Sequence, residues 1–195
     1  MAIGRPRTFD TEQALDRALE VFWRKGYEGA SICDLTAAMG INPPSLYAAF
    51  GNKEALFRRA LDRYTEIHSD FIREALAVAK AREGVAALLY GTARSLSDKS
   101  NPAGCLLVQG ISGVGEHAQC IREMLNAKRA SGEKDIRERL KRAKKEGELP
   151  ADADPAALAR YVATVTQGMA VQAAGGASRK ELERIAEMAL RAWPD

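Results

Sequence analysis

Between Ser31 and Lys53, SICDLTAAMGINPPSLYAAFGNK, the chain states where two short helices start, stop and give way to a third. Ser31 is an N-cap, and Asp34 three residues on completes an acidic capping box. Gly40 follows Met39 where the first helix must stop, because glycine enters the left-handed C′ conformation without a Cβ clash. Asn42 caps the next helix, and Pro43 loses no hydrogen bond in its first turn. Asn52 opens the helix after that. Few folds accept such closely spaced boundaries, and the helix-turn-helix is one.

The flanks fit that unit. Phe9 to Tyr27 reads as one amphipathic helix, capped by Asp10 and ended at Gly26, with Ala14, Leu15, Ala18, Leu19 and Phe22 at three- and four-residue spacing. Leu46 and Phe50 anchor the second short helix, which leaves Pro43, Pro44, Ser45, Tyr47 and Ala48 on an outer face. The expected seam is Leu15, Leu19, Phe22, Ile32, Leu35, Leu46 and Phe50. In a helix-turn-helix that outer face enters a DNA major groove.

Each residue of the region then has a role to test. Tyr47, next to buried Leu46, points outward with a hydroxyl able to donate to a phosphate. Lys53 sits in a helix's first turn, unfavourable for a cation unless a phosphate lies nearby. Ser31 can combine capping with a phosphate contact, and Thr36 on the same helix can reach the backbone too. Pro43, Pro44 and Ser45 form the tip at the base edges, where Ser45 and apolar contact with thymine methyls do the reading. Arg5 and Arg7 lie in a GRPR arm, suited to a minor groove or to free solvation.

The order GRPRTFD, then ALEVFWRKGYEGASICDLTAAMGINPPSLYAAFGNKEALF, resembles the N-terminal DNA-binding domain of TetR-type (tetracycline-repressor-like) regulators. The resemblance covers about the first fifty-seven residues without a gap. Its marks are the aromatic-Gly-Tyr ending, Ser31, the Ala38-Met39-Gly40 turn, Leu46-Tyr47 and the Phe50 to Glu54 passage. It implies an all-α fold: a helix-turn-helix domain over 1–53 and a ligand-sensing and dimerisation domain over 54–195. It also implies a repressor that leaves its double-stranded DNA operator when a small-molecule effector binds.

The rest of the chain reads as long helices. Asn52 caps one running past Leu76, with Phe57, Leu61, Tyr64, Ile67, Phe71 and Leu76 near one stripe. A second spans about Glu83 to Asp98, a short buried one about Cys105 to Ile111, and a charged one His117 to about Gly147. GISGVG lacks both the preceding strand and the Gly-Lys-Ser/Thr of a phosphate loop. KRAKK at 141–145 reads as a solvated helix end. The last two helices, Pro155 to Ala174 and Arg179 to Trp193, are rich in small residues and suit a symmetric four-helix homodimer interface. Its candidates are Leu158, Val162, Val165, Leu182, Ile185, Met188, Ala189 and Trp193. Candidate pocket residues are Tyr64, His68, Phe71, Cys105, Gln109, Thr166 and Met169.

Other classes find less support. No nucleophile–base–orienter set or cofactor loop is present, so neither an enzyme nor a cofactor is expected. With only His68 and His117 and no cysteine pair at ligand spacing, no metal site is expected. Three scattered cysteines suggest a reducing cytoplasm, and no apolar run is long enough for a membrane span. Net charge of +3 decides nothing about DNA, which position must decide. Two alternatives remain: a helical protein-binding module, and a thiol-based redox sensor acting through Cys105.

Overall fold

The computed structural model describes residues 9–110 and 119–194. Arg5, Arg7, the GISGVG loop beyond Gly110 and the expected helix start at His117 lie outside the described residues. Within them the chain is helical, without strands: α1 Thr11–Gly29, α2 Ile32–Met39, α3 Pro43–Phe50, α4 Lys53–Ala77, α5 Ala81–Leu96, α6 Leu106–Gln109, α7 Gln119–Lys145, α8 Pro155–Ala174 and α9 Arg179–Arg191.

Side-chain caps set most of these starts. Asp10 accepts the N–H groups of Glu12 and Gln13 at 2.9 and 3.2 Å. Asn42 accepts from Ser45 N–H at 2.9 Å, and Asn52 from Ala55 N–H at 2.7 Å. Ser178 and Glu181 form a second capping box at α9. Gly26 leaves the helical region at φ 68°, ψ −179°, so α1 is kinked there and its last turn reaches Gly29.

Two apolar cores result. The first joins α1, α2 and α3 to the front half of α4, and also takes in Leu106, Ile121 and Leu125 from α6 and the start of α7. At its centre Phe22 meets Phe57 edge to face, with centroids 5.0 Å apart. Burying each ring is worth about 1.5–3 kcal/mol. The expected seam is buried, except that Ile32 is only half-buried. Ile67, expected on the inner stripe of α4, is 51% exposed. The second core packs the far half of α4 with α5, α7, α8 and α9.

Arg139, a buried arginine, ties these elements together. Its Nη2 donates to the carbonyls of Val78 and Ala79 at 3.1 and 2.8 Å and lies 3.5 Å from the Glu148 carboxylate. Glu148 also accepts the first N–H of α5, from Ala81, at 2.5 Å. That hydrogen bond, then Arg139, holds the Glu148 carboxyl below its ordinary range. The α4–α5 turn is thereby clamped onto α7.

Candidate nucleic-acid interface and effector cavity

α2 and α3 meet at Gly40, whose φ of 68° and ψ of 32° are left-handed and turn the chain sharply enough to cross the helices. Ser31 closes the capping box: its Oγ accepts Asp34 N–H at 3.0 Å and donates to Asp34 Oδ2 at 2.8 Å. Lys25 adds an ion pair to Asp34 at 2.7 Å. The Lys25 and Ser31 hydrogen bonds hold this carboxyl down at about 2. Across the turn, Leu46 and Phe50 are buried, while Pro43, Pro44, Ala48 and Tyr47 (46% exposed) form an outer ridge. Ser45 is half-buried at its edge.

Lys53 stands beside this ridge with Nζ 4.4 Å from the centroid of the Tyr27 ring. The aromatic face offsets the unfavourable dipole position, and burial pulls the amine's pKa below its ordinary value. Thr36 does not face outward. It is buried, and its hydroxyl donates to the carbonyls of Ile32 at 2.8 Å and Cys33 at 3.2 Å. Its expected reach to the DNA backbone is therefore corrected: the hydroxyl is spent on its own helix.

A cavity of about 1110 Å³ lies between the two cores, walled by α4, α5, α7 and α8 and by the 105–108 segment. Five of the expected pocket residues line it: Tyr64, His68, Phe71, Cys105 and Thr166. Two do not. Met169 is fully buried in the second core. Gln109 packs its amide against Gly104, where a Cβ would come within 2.6 Å of Gln109 Oε1. Gly104 also has a φ of 82°, so this close turn requires glycine.

The end of the cavity nearest α1 is an ordered polar and aromatic cluster. Tyr64 Oη donates to Cys105 Sγ at 3.2 Å, and burial holds the phenol's pKa well above 10. His68 lies edge-on to Trp23, with centroids 5.4 Å apart, and 4.5 Å from the Tyr64 ring. Ser95 Oγ is 3.4 Å from His68 Nδ1, and burial pushes the imidazole's pKa down, which favours its neutral form. Trp23 Nε1 donates to the carbonyl of Gly104 at 3.2 Å, tying α1 to the segment that carries Cys105. Trp23 and Ser95 were missing from the sequence expectation. Trp23 is one more aromatic on an apolar helix face, and only its partner 81 residues away distinguishes it.

The expected dimer residues divide. Val162, Leu182, Ala189 and Trp193 are buried inside the protomer, which corrects their assignment to a surface: α8 and α9 use them to close their own core. Leu158, Val165 and Ile185 are half-buried, and Met188 is 61% exposed. Val171, 56% exposed, and Tyr161, 36% exposed, are further large apolar side chains on the surface of α8.

A capped helix pair with an outward ridge, carried on a helical body that holds a large cavity open at its rim, defines a helix-turn-helix regulator with a helical C-terminal domain. Comparison with known proteins agrees. The tetR family of bacterial regulatory proteins matches residues 14–60, and the tetracyclin repressor-like C-terminal domain matches residues 81–189. The HTH-type transcriptional repressor ComR of Escherichia coli K12 is 35% identical over 98% of this chain and 92% of its own. The repressor BdcR from the same organism is 40% identical over 55% of each chain. A cysteine-substituted form of the TetR family transcriptional regulator CifR, complexed with 26 bp double-strand operator DNA, is 46% identical, covers 98% of this chain and 100% of its own, and superposes with a TM-score of 0.94. The chain belongs to the tetR family of transcriptional regulators. No helix among the described residues is long and apolar enough to cross a membrane.

Proposed function

We propose that this protein is a cytoplasmic repressor that binds operator DNA as a homodimer and is released by a small molecule occupying the cavity between its cores. The observation that carries the reading is the α3 ridge: Pro43, Pro44, Tyr47 and Ala48 stand outside while Leu46 and Phe50 lock the helix from behind. Residues 1–53 then serve as the reading unit, with Ser31, Ser45, Tyr47 and Lys53 at phosphates and base edges and Arg5 and Arg7 as the arm. Residues 54–195 sense and dimerise. The relatives support this, since ComR and BdcR are named repressors and CifR is seen on its operator.

The exposed apolar face of α8 and α9 supports pairing through a two-fold axis. Two ridges must sit about 34–36 Å apart to enter successive major grooves. A ligand that prefers a different separation lowers operator affinity by its own preference between the two states. The test is a mobility shift with DNA flanking the protein's own gene, across a salt series. Sequence-selective binding that weakens steeply with salt is expected; equal binding to unrelated DNA of the same length would refute the reading.

A second reading, sensing through Cys105, is favoured by one observation: its thiol lines the cavity and receives the Tyr64 hydrogen bond. Alkylation of Cys105 that releases DNA would support it. A Cys105→Ser protein with the full small-molecule response would remove it.

A further inference from the structure

The cavity's charges and its neutral polar groups are sorted in space. Arg73, Asp135, Arg142 and Glu146 line it from exposed positions at the rim. Other charges at the wall are committed to protein partners: Lys128 to Asp62 at 2.7 Å, Glu133 to Arg160 at 3.1 Å, Arg139 to Glu148 and two carbonyls, and half-buried Arg129 to the side-chain carbonyl of Asn126 one turn back on α7. The wall between is apolar, formed by Phe71, Ile72, Leu76, Leu88, Leu96 and Ile136. At the end nearest α1 the polar groups are the Tyr64 phenol, Thr65, Ser95 and His68, and the one ammonium beside them, Lys128, is neutralised by Asp62. A neutral imidazole offers one donor and one acceptor. Ser95 takes Nδ1, and Nε2 has no hydrogen-bond partner among the described residues.

We infer that the effector is an uncharged, mostly apolar molecule whose hydrogen-bonding group docks on His68, held in place by Ser95, and that His68 relays its arrival to the reading head through Trp23. A buried carboxylate or ammonium here would lose its hydration without gaining an opposite charge, which is costly. A hydroxyl, carbonyl or ether exchanges a water hydrogen bond for one to imidazole and buries its apolar remainder along the wall. The relay is short. His68 packs perpendicular to Trp23, and the Trp23 indole holds the Gly104 carbonyl, one residue before the Cys105 thiol that Tyr64 contacts. A ligand that shifts His68 must therefore shift a residue of α1 itself.

This inference rests on the regulator reading and is tested separately from it. The protein carries two tryptophans, so Trp193→Phe leaves Trp23 as the sole indole reporter. Full-length protein with that change is titrated with 1-octanol, octanoate and octylammonium, which share a chain and differ in head-group charge. The expected result is a saturable change in Trp23 emission at octanol concentrations at least about tenfold below those needed for either ion, a difference of about 1.4 kcal/mol. His68→Phe should weaken the octanol response at least tenfold, while His68→Gln, which keeps a hydrogen-bonding group, should retain it. If His68→Phe loses its helical circular dichroism, Ser95→Ala replaces it, with several-fold weakening expected. Octanoate or octylammonium acting as well as octanol, no saturable octanol response, or a His68→Phe or Ser95→Ala response equal to the parent overturns the inference. Operator binding measured without probes on the same preparations tests the regulator reading alone.

Discussion

Replacing Trp23 by Phe removes one hydrogen bond and part of one ring at the joint between the helix-turn-helix head and the rest of the helical body. The indole N–H is the described partner of the Gly104 carbonyl, at 3.2 Å in a buried setting. Phenylalanine leaves that carbonyl unpaired, which costs about 1–3 kcal/mol. The smaller ring also leaves space beside Tyr64, whose centroid lies 4.8 Å away, and the lost packing adds about 1 kcal/mol. A total near 2–4 kcal/mol against a urea slope of about 2–3 kcal/mol/M moves the midpoint down by about 1 M. The assay is urea unfolding followed by far-UV circular dichroism, with protomer concentration fixed because dimerisation is linked to stability. An unchanged slope with a midpoint shift under about 0.3 M would show that the carbonyl finds another partner and that Trp23 does not secure the joint.

Three further outcomes follow from individual contacts. Asp34 is held at about 2 in the folded chain against an ordinary value of 3.8, so its stabilising effect is complete above the ordinary value and disappears as pH falls through about 2. Melting temperature across pH 4 to 2 should therefore fall less in Asp34→Ala than in the parent, and parallel curves would contradict this. Gly91→Ala places a Cβ 2.7 Å from Phe71 Cδ2, so overpacking of about 1–3 kcal/mol should outweigh the roughly 0.5–1 kcal/mol helix gain; a raised melting temperature would show that Phe71 yields freely. Val171→Glu combined with Met188→Lys puts charges on the exposed α8–α9 face, and sedimentation velocity should show monomers where the parent sediments as a dimer. An unaltered dimer would move the interface elsewhere.

How much of this was readable beforehand depended on whether a residue's role is local. Caps are local, so Asp10, Ser31, Asn42 and Asn52 marked four helix starts from sequence, and Leu46 and Phe50 fixed the side on which α3 is buried. Thr36 was misread because a hydroxyl on a short helix has two satisfactory partners, solvent or the carbonyl four residues back, and spacing does not choose between them. α8 is apolar around much of its circumference, so periodicity did not tell Val162 and Met169, which face inward, from Val171 and Tyr161, which face out. Arg139 looked like one charge among many on α7. Its burial depends on Glu148 and on the carbonyls of Val78 and Ala79, which only tertiary folding brings together.

The central claim is that the outer ridge of α3 meets DNA, and Ala48→Glu tests it most directly. Ala48 is exposed in the middle of α3, and Glu is a good helix former, so the fold is untouched while a carboxylate is set against phosphates in both halves of a dimer. Fluorescence anisotropy with a labelled duplex carrying the protein's own upstream region should show affinity reduced by about a hundredfold or more, with the melting temperature unchanged. Undiminished affinity in a folded Ala48→Glu protein would contradict the account.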